Sequence, residues 1–445
     1  MAGSAERFHP ARVIVVAFAA AIALCTVLLF LPFATETGQR APLLDAVFTS
    51  TSAVCVTGLV TVDTATYWSA FGETVILVGI QLGGLGIMTV ASLLVVLLSR
   101  RLGLRARLIA QAQTRTLTVR DIGRLMRNVT LFSVACELVV AIVLVTRFAG
   151  RYGMPVSDAL WHGVFHAVSA FNNAGFALYP DSLVRYVDDS VIMLTIAAAV
   201  IIGGLGFPVV FELARSWRRP RTWSVTTRIT VVVTSVLLLV GTLLIATIEH
   251  DNPGTLGPLS MGSRLVAAVF TATMPRTAGF NAVDIAAMTP EGLMFTDVLM
   301  FIGGGSASTA GGVKVTTVGL LAFVLWAEMR GESRVNVGVR QVPADNQRQA
   351  LAVFMLFVTL SGLGTFALLA MSDYSLDQVL FEAISALSTV GLSTGITAAL
   401  PDSATWLLVV MMYVGRLGPL TLASALALRQ REHRYERPSE RTIIG

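Results

Sequence analysis

Long apolar runs separated by short polar stretches dominate the pattern of this 445-residue chain. Eight of the runs are long enough to cross a bilayer, because about 20 apolar residues span its hydrocarbon core. The runs cover residues 13–32, 72–99, 128–149, 190–214, 229–248, 293–326, 350–371 and 404–428. The pattern therefore predicts an all-α integral membrane protein with eight transmembrane helices.

Four further segments are half-apolar but too short to cross. They contain 10 to 13 residues and cover Leu43–Ala53, Asp158–Ala170, Arg264–Thr273 and Leu376–Ala386. As helices they would be roughly 16–20 Å long, about half of the hydrocarbon core. Such a segment can enter the membrane from outside and turn back, with its negative C-terminal end near the membrane centre.

The chain repeats itself after each of these segments. A Ser or Thr precedes a Gly by six residues at Ser52/Gly58, Ser169/Gly175, Thr273/Gly279 and Ser385/Gly391. A Gly-rich signature follows each Gly by 24 to 28 residues, beginning at Gly83, Gly203, Gly303 and Gly415. Repetition of this kind in apolar sequence indicates one membrane unit present four times. We expect four parallel helix–pore-helix–helix repeats around a pseudo-fourfold central pore, at 1–101, 102–220, 221–330 and 331–430, with a tail at 431–445.

Composition and charge add the orientation. The chain is 55% hydrophobic and 13% charged, whereas soluble proteins carry about 25% charged residues, so the lipid bilayer is its first partner. Arg clusters follow the second long run of every repeat, and 24 of the 32 basic residues lie on that one side. The positive-inside rule makes this side, with both termini, cytoplasmic. The same rule explains the Arg excess, so nucleic-acid binding is not indicated.

The residues before the four repeated glycines suggest how an ion would be bound. They share no side-chain chemistry, which fits a site built from backbone carbonyls, as in cation filters. Gly tolerates the backbone angles that such a filter needs. The predicted cation filter comprises Val56, Thr57, Gly58, Asn173, Ala174, Gly175, Thr277, Ala278, Gly279, Thr389, Val390 and Gly391.

Two departures from the repeat indicate a gate. A polar, Gly-rich stretch interrupts the second helix of the third repeat, and such a stretch must line a cavity or be buried in protein. A phosphate-binding loop has the wrong spacing to its Lys, and tight packing of small residues is the other alternative. Arg416 replaces a repeated Gly within an apolar run, where an Arg usually faces a cavity or a partner. The predicted gate comprises Gly303, Gly304, Gly305, Ser306, Ser308, Thr309, Gly311, Gly312, Lys314 and Arg416.

The whole chain resembles the membrane subunits of the Trk/Ktr/HKT superfamily of potassium transporters. The resemblance lies in VCVTGL, FNNAGF, TMPRTAGFN, SALSTVGLSTG, FIGGGSASTAGGVKV and YVGRLGPLT. The chain begins directly at the first repeat, as in the shorter KtrB-type subunit. The resemblance implies potassium uptake across the cell membrane, a homodimer, and a cytoplasmic KtrA-like nucleotide-binding ring as regulator. Four filter glycines imply potassium, because a Ser at the position of Gly58 accompanies sodium permeation in this family.

Two other function classes compete with this interpretation. A secondary carrier for cations and solutes would couple fluxes by alternating access, but same-direction repeats and a lack of mid-membrane carboxylates argue against it. An enzyme is not expected, because no nucleophile–base pair or pair of carboxylates is evident. The chain contains no nucleotide-binding motif of its own, so the transported potassium ion is the only ligand expected.

Overall fold

The computed structural model describes residues 10–99, 119–338 and 340–428. Fifteen helices lie within these residues. The longest are Pro10–Leu29, Ala70–Ser99, Val119–Tyr152, Val225–Ile248, Ala344–Met371 and Asp402–Leu428. The shorter ones are Leu43–Val54, Thr64–Tyr67, Val156–Phe171, Ser190–Leu205, Phe207–Ser216, Met261–Thr273, Pro290–Phe301, Val315–Met329 and Leu376–Ser388. A small antiparallel hairpin pairs Asn336–Val337 with Arg340–Gln341.

Most predicted spans coincide with helices. Among the described residues, three helices are long and apolar enough to cross a membrane: Met126–Tyr152, Val225–Ile248 and Ala344–Met371. The helices Pro10–Leu29, Ala70–Ser99 and Asp402–Leu428 occupy three further predicted runs. The run 293–326 is divided between two helices by the predicted Gly-rich interruption. The chain is therefore a helical membrane protein.

One span differs from its prediction. The prediction of one continuous helix over residues 190–214 is wrong, because the helices Ser190–Leu205 and Phe207–Ser216 meet at an angle of 99°. Gly206 lies at the bend with a φ of +87°, which favours Gly over residues with a side chain. Pro208 follows and has no backbone N–H with which to continue the helical hydrogen bonds. The second repeat is thus interrupted like the third, two residues after the pair Gly203-Gly204.

The four predicted short segments form helices in the middle of the molecule. They are Leu43–Val54, Val156–Phe171, Met261–Thr273 and Leu376–Ser388, and we call them short helices 1 to 4. Their inner turns are buried and partly polar, as in the fully buried run Thr49–Ser52. Apolar side chains such as Leu239 and Phe366 are instead exposed on the outer surface. This distribution suits a lipid environment, where apolar groups need no burial and polar groups need partners.

The repeated Gly signature packs against the ends of the short helices. A β-carbon on Gly83, Gly203 or Gly415 would overlap the carbonyl oxygen of Val54, Phe171 or Leu387, respectively. These carbonyls belong to the last turns of short helices 1, 2 and 4. The signature therefore allows a long helix to approach the backbone next to the four repeated glycines, which is the packing that small residues permit in membranes.

Alanine at Gly83 is expected to destabilise the protein by about 1–3 kcal/mol, the usual cost of overpacking. The added methyl group would push the helix Ala70–Ser99 away from Val54. Gly79→Ala is a matched control on the same helix, because its β-carbon would lie at ordinary contact distances of 3.4 Å from Ala53 and 3.6 Å from Cys25 and Val54. Thermal melting in detergent measures both variants. Equal melting temperatures for the two would contradict this account of the signature.

Candidate ion filter and intramembrane loop

Four three-residue segments follow the C-terminal ends of the short helices, and we call them filter segments 1 to 4. They are residues 56–58, 173–175, 277–279 and 389–391 and contain all twelve residues of the predicted filter. The negative ends of four helix dipoles therefore lie next to the segments. This arrangement favours a cation over an anion in the space that the segments surround.

All four segments share one pattern of backbone φ angles. The first residue has a positive φ in each: 55° at Val56, 59° at Asn173, 67° at Thr277 and 51° at Thr389. The terminal glycines also have positive φ, between 72° and 97°, and the middle residues do not. A positive φ at a β-branched residue costs on the order of 1–3 kcal/mol and persists only where the surroundings enforce it. Residues with unlike side chains thus adopt the same strained geometry four times.

The backbone hydrogen bonds show where the carbonyls point. In segment 1 the N–H groups of Val56 and Thr57 donate to the carbonyls of Ala53 and Ser52 in short helix 1. In segment 4 the N–H groups of Thr389 and Val390 donate in the same way to Ala386 and Ser385. Because N–H and C=O point in opposite directions across a trans peptide, the carbonyls of these peptides face away from the short helices.

The hydroxyl residue that precedes each Gly by six positions fixes this geometry in two repeats. The N–H groups of Gly58 and Gly391 donate to the Oγ atoms of Ser52 at 3.0 Å and Ser385 at 3.1 Å. In the second repeat Ser169 donates instead to the carbonyl of Phe176, at 2.8 Å. In the third, Thr273 donates back to the carbonyl of Val269. The hydroxyl residue of the sequence repeat therefore makes three different hydrogen bonds in the four repeats.

The four glycines form a closed ring. A β-carbon built on Gly175 would lie 2.8 Å from the Cα of Gly279, and one built on Gly279 would lie 3.2 Å from that of Gly391. Gly391 approaches Gly58 at 3.0 Å, and Gly58 approaches Gly175 at 3.1 Å, measured in the same way. No side chain fits between neighbours at these distances, so the ring is lined by backbone.

A cavity opens on one side of this ring. It has a volume of about 260 Å³ and is lined by all four glycines. Polar side chains on its wall include Asp63, Ser182, Asn281 and Ser393. The cavity is large enough for several water molecules. A hydrated cation can therefore approach the ring from this side.

The interruption between the helices Pro290–Phe301 and Val315–Met329 lies at the other ends of the filter segments, and we call residues 302–314 the intramembrane loop. The Thr309 hydroxyl lies 3.1 Å from Oδ1 of Asn173, the first residue of segment 2. The Gly311 N–H donates to the hydroxyl of Thr277, the first residue of segment 3, at 3.2 Å. Nearly every loop residue is buried. The loop thus borders the filter segments inside the protein and does not face lipid.

Arg416 and Lys314 hold the loop from within. The Arg416 guanidinium is buried and donates to the carbonyl of Thr309 at 2.6 Å. The Lys314 ammonium donates to the carbonyl of Ala310 at 2.5 Å. The structure therefore brings all predicted gate residues into one place, and Arg416 does not reach the membrane surface.

The bend of the second repeat also contacts the loop. The N–H of Gly305 donates to the carbonyl of Gly204 at 2.7 Å, and the N–H of Thr309 to that of Gly203 at 3.3 Å. Pro208 has no N–H to offer to the Gly204 carbonyl, so the loop supplies the missing donor. This contact was not predicted, although the string Gly203-Gly204-Leu205-Gly206-Phe207-Pro208 contains its signals.

Glu137 is a further residue that the sequence analysis missed. It lies within the membrane helix Met126–Tyr152, is 7% exposed, and accepts hydrogen bonds from Gln81 and Asn172. The expectation that no carboxylate lies at mid-membrane is therefore wrong. A single Glu in an apolar run was readable as a functional signal, because such residues are costly in membranes and usually face a polar interior.

This chain combines helices suited to a membrane with four strained backbone segments around the glycine ring. These features place it in the class of ion-transporting membrane proteins. Comparison with known proteins identifies the family. The model of the TrkH cation transport protein family matches residues 6–435, and the chain belongs to this family. The resemblance to Trk and Ktr subunits is thus confirmed, and the protein is a transporter and not an enzyme.

The individual relatives agree. The chain is 40% identical to the Ktr system potassium uptake protein B of Bacillus subtilis, over 95% of this chain and 94% of that protein. It is 37% identical to the protein of the same name from Vibrio alginolyticus, over 94% and 91%. The crystal structure of the potassium transporter TrkH from Vibrio parahaemolyticus matches with a TM-score of 0.72 and 19% identity, covering 95% of this chain and 86% of that one. The last similarity shows a common fold.

Proposed function

We propose that this protein is the ion-translocating subunit of a Ktr-type potassium-uptake system. The observation that carries the proposal is the ring of four glycines, each preceded by two residues of which the first has a positive φ. Carbonyls that face a common space replace the hydration shell of a cation. Potassium is the proposed ion because Gly occupies all four ring positions and because two relatives are named potassium uptake proteins.

Control of transport is proposed to lie in the intramembrane loop. Two cations, the buried Arg416 and the half-buried Lys314, donate to the carbonyls of loop residues next to filter segments 2 and 3. A positive charge beside the path of a cation raises the barrier to its passage. We further propose that a cytoplasmic KtrA-like nucleotide-binding ring relieves this barrier, and that two copies of the chain form a homodimer.

The proposed arrangement is four parallel repeats around a pseudo-fourfold axis, with eight spans and the boundaries given above. The four equivalent segments and the signature contacts at Gly83, Gly203 and Gly415 support it. The basic segments would face the cytoplasm of a cell whose plasma membrane holds the protein. Two of them, 100–118 and the tail 429–445, lie outside the described residues.

Ion flux into liposomes tests the proposed function. Purified protein in liposomes with an outward or inward potassium gradient is expected to pass potassium faster than sodium, without a second solute. The matched control is protein-free liposomes of the same lipid. The proposal would be refuted if liposomes with protein, like those without it, passed potassium and sodium at equal rates.

A secondary carrier is the second candidate, and Glu137 favours it. A buried carboxylate in a membrane helix is a common site of proton coupling. The same liposomes separate the two functions, because a carrier would move potassium against its gradient when a pH gradient is imposed. A filter subunit would move it only down the electrochemical gradient of potassium.

A further inference from the structure

Three polar side chains form a cluster behind filter segment 2. They are Gln81 on the helix Ala70–Ser99, Glu137 on the helix Val119–Tyr152, and Asn172 at the end of short helix 2. The Gln81 Nε2 donates to both oxygens of Glu137, at 3.1 and 3.2 Å. The Asn172 Nδ2 lies 3.1 Å from the nearer of these oxygens and 2.9 Å from the Gln81 Oε1. Three separate helices therefore meet through these hydrogen bonds.

The cluster holds the start of filter segment 2. Asn172 is fully buried and immediately precedes Asn173, whose φ is +59°. The Asn172 Nδ2 also donates to the carbonyl of Val168, so this amide has three acceptors on three helices. Its side chain passes beside Gly84, where a β-carbon would overlap its Oδ1. The second Gly of the first signature thus makes room for this side chain.

Asn172 and Asn173 together connect the polar cluster to the intramembrane loop. Asn172 is tied to Glu137 on one side, and Asn173 contacts Thr309 of the intramembrane loop on the other. A strained backbone keeps its geometry only when its neighbours are fixed. Among the described residues, Glu137 has no Arg or Lys as a partner, so the two amides supply the donors that its oxygens need.

We propose that Glu137, acting through Asn172 and Gln81, is a positioning residue that sets the ion selectivity of filter segment 2. It touches no ion itself. Its carboxylate accepts only, and both oxygens face amide N–H groups, so the Asn172 side chain is held in one orientation. Loss of the carboxylate removes one of the three acceptors of the Asn172 amide, which loosens this side chain and lets the carbonyls of segment 2 adjust to a smaller cation. The proposal rests on the proposed potassium function of the ring.

Flux of potassium and sodium through the purified chain in liposomes tests the proposal. In Glu137→Ala the potassium-to-sodium permeability ratio is expected to fall at least fivefold, and in Glu137→Gln by a smaller factor. The double variant Gln81→Glu/Glu137→Gln returns one carboxylate to the same cluster and is expected to restore the ratio to within twofold of wild type. This rescue would show that a carboxylate within the cluster, and not the identity of residue 137, sets the permeability ratio.

Glu249→Gln is the matched control. Glu249 is 1% exposed and accepts hydrogen bonds from Asn252, Thr255 and Thr289, none of which is a filter residue. Its substitution is expected to leave the permeability ratio unchanged. A ratio within twofold of wild type in both Glu137→Gln and the folded Glu137→Ala would overturn the proposal, with the proposed function intact.

Two other outcomes also overturn it. Potassium uptake that a pH gradient drives in the wild type, and that Glu137→Gln abolishes, would make Glu137 a proton-coupling residue instead. Absence of potassium flux in the wild type would refute the proposed function, and with it any selectivity role for the cluster.

Discussion

Serine in place of Gly58 is expected to lower the potassium-to-sodium permeability ratio about tenfold, equivalent to roughly 1.4 kcal/mol between the two ions. Gly58 has a φ of +97°, and a β-carbon there would overlap the carbonyl oxygen of Ala174. The serine would therefore strain its own backbone and displace a carbonyl of the neighbouring segment. Flux of each ion into liposomes measures the ratio.

Gly38→Ser is the matched control for this change. Gly38 also has a positive φ, +69°, but no atom of the described residues lies within 4 Å of a β-carbon added there. Its substitution strains the backbone without touching the ring, so the permeability ratio is expected to stay at the wild-type value. If Gly58→Ser folds normally and keeps the wild-type ratio, the four glycines do not form the selectivity filter.

Removal of the Arg416 charge is expected to raise basal potassium flux at least tenfold. At an effective dielectric constant near 20, two like charges about 5 Å apart repel by on the order of 3 kcal/mol, and relief of 1.4 kcal/mol is enough for a tenfold gain. Arg416→Ala also removes a hydrogen bond to the carbonyl of Thr309. Deletion of residues 306–310 is expected to act in the same direction.

Arg416→Lys separates the two effects, because it keeps the charge and loses the guanidinium geometry. If repulsion dominates, Arg416→Lys retains a low flux while Arg416→Ala does not. The permeability ratio of both variants is expected to equal that of the wild type, since filter segments 1 to 4 are unchanged. Flux at or below the wild-type level in Arg416→Ala and in the loop deletion would mean that Arg416 and the loop are structural.

Much of the architecture was predictable because membranes impose simple rules. Apolar length predicted most of the long helices, and the recurrence of Gly after four short segments predicted the residues that surround the glycine ring. The Gly-rich stretch 303–312 could be placed inside the protein, since an irregular backbone is not tolerated against lipid. The side chains of the filter carry little of this information, which is why the repeat was visible only through Gly and the hydroxyl residues.

Other features depend on tertiary contacts that no local pattern reports. The positive φ at Val56, Thr277 and Thr389 opposes the preference of β-branched residues, and it persists because the short helices bind the N–H groups nearby. The bend at Gly206 was missed because apolar residues continue on both sides of it. The partners of Glu137 come from residues 56 and 35 positions away, so its role was not readable from its own helix.

The intramembrane loop belongs to the third repeat, but it also supplies hydrogen-bond donors to the second repeat. The carbonyls of Gly203 and Gly204 lie in the last turn of their own helix, and the N–H groups of Thr309 and Gly305 take the places of the next helical donors. The loop of the third repeat thus takes the place of the next helical turn in the second repeat. If the loop moved away, these two carbonyls would lose their hydrogen-bond donors. The free-energy cost would be about 1–3 kcal/mol for each carbonyl left without a donor. The interrupted helices of the second and third repeats are therefore coupled, and neither can rearrange without the other.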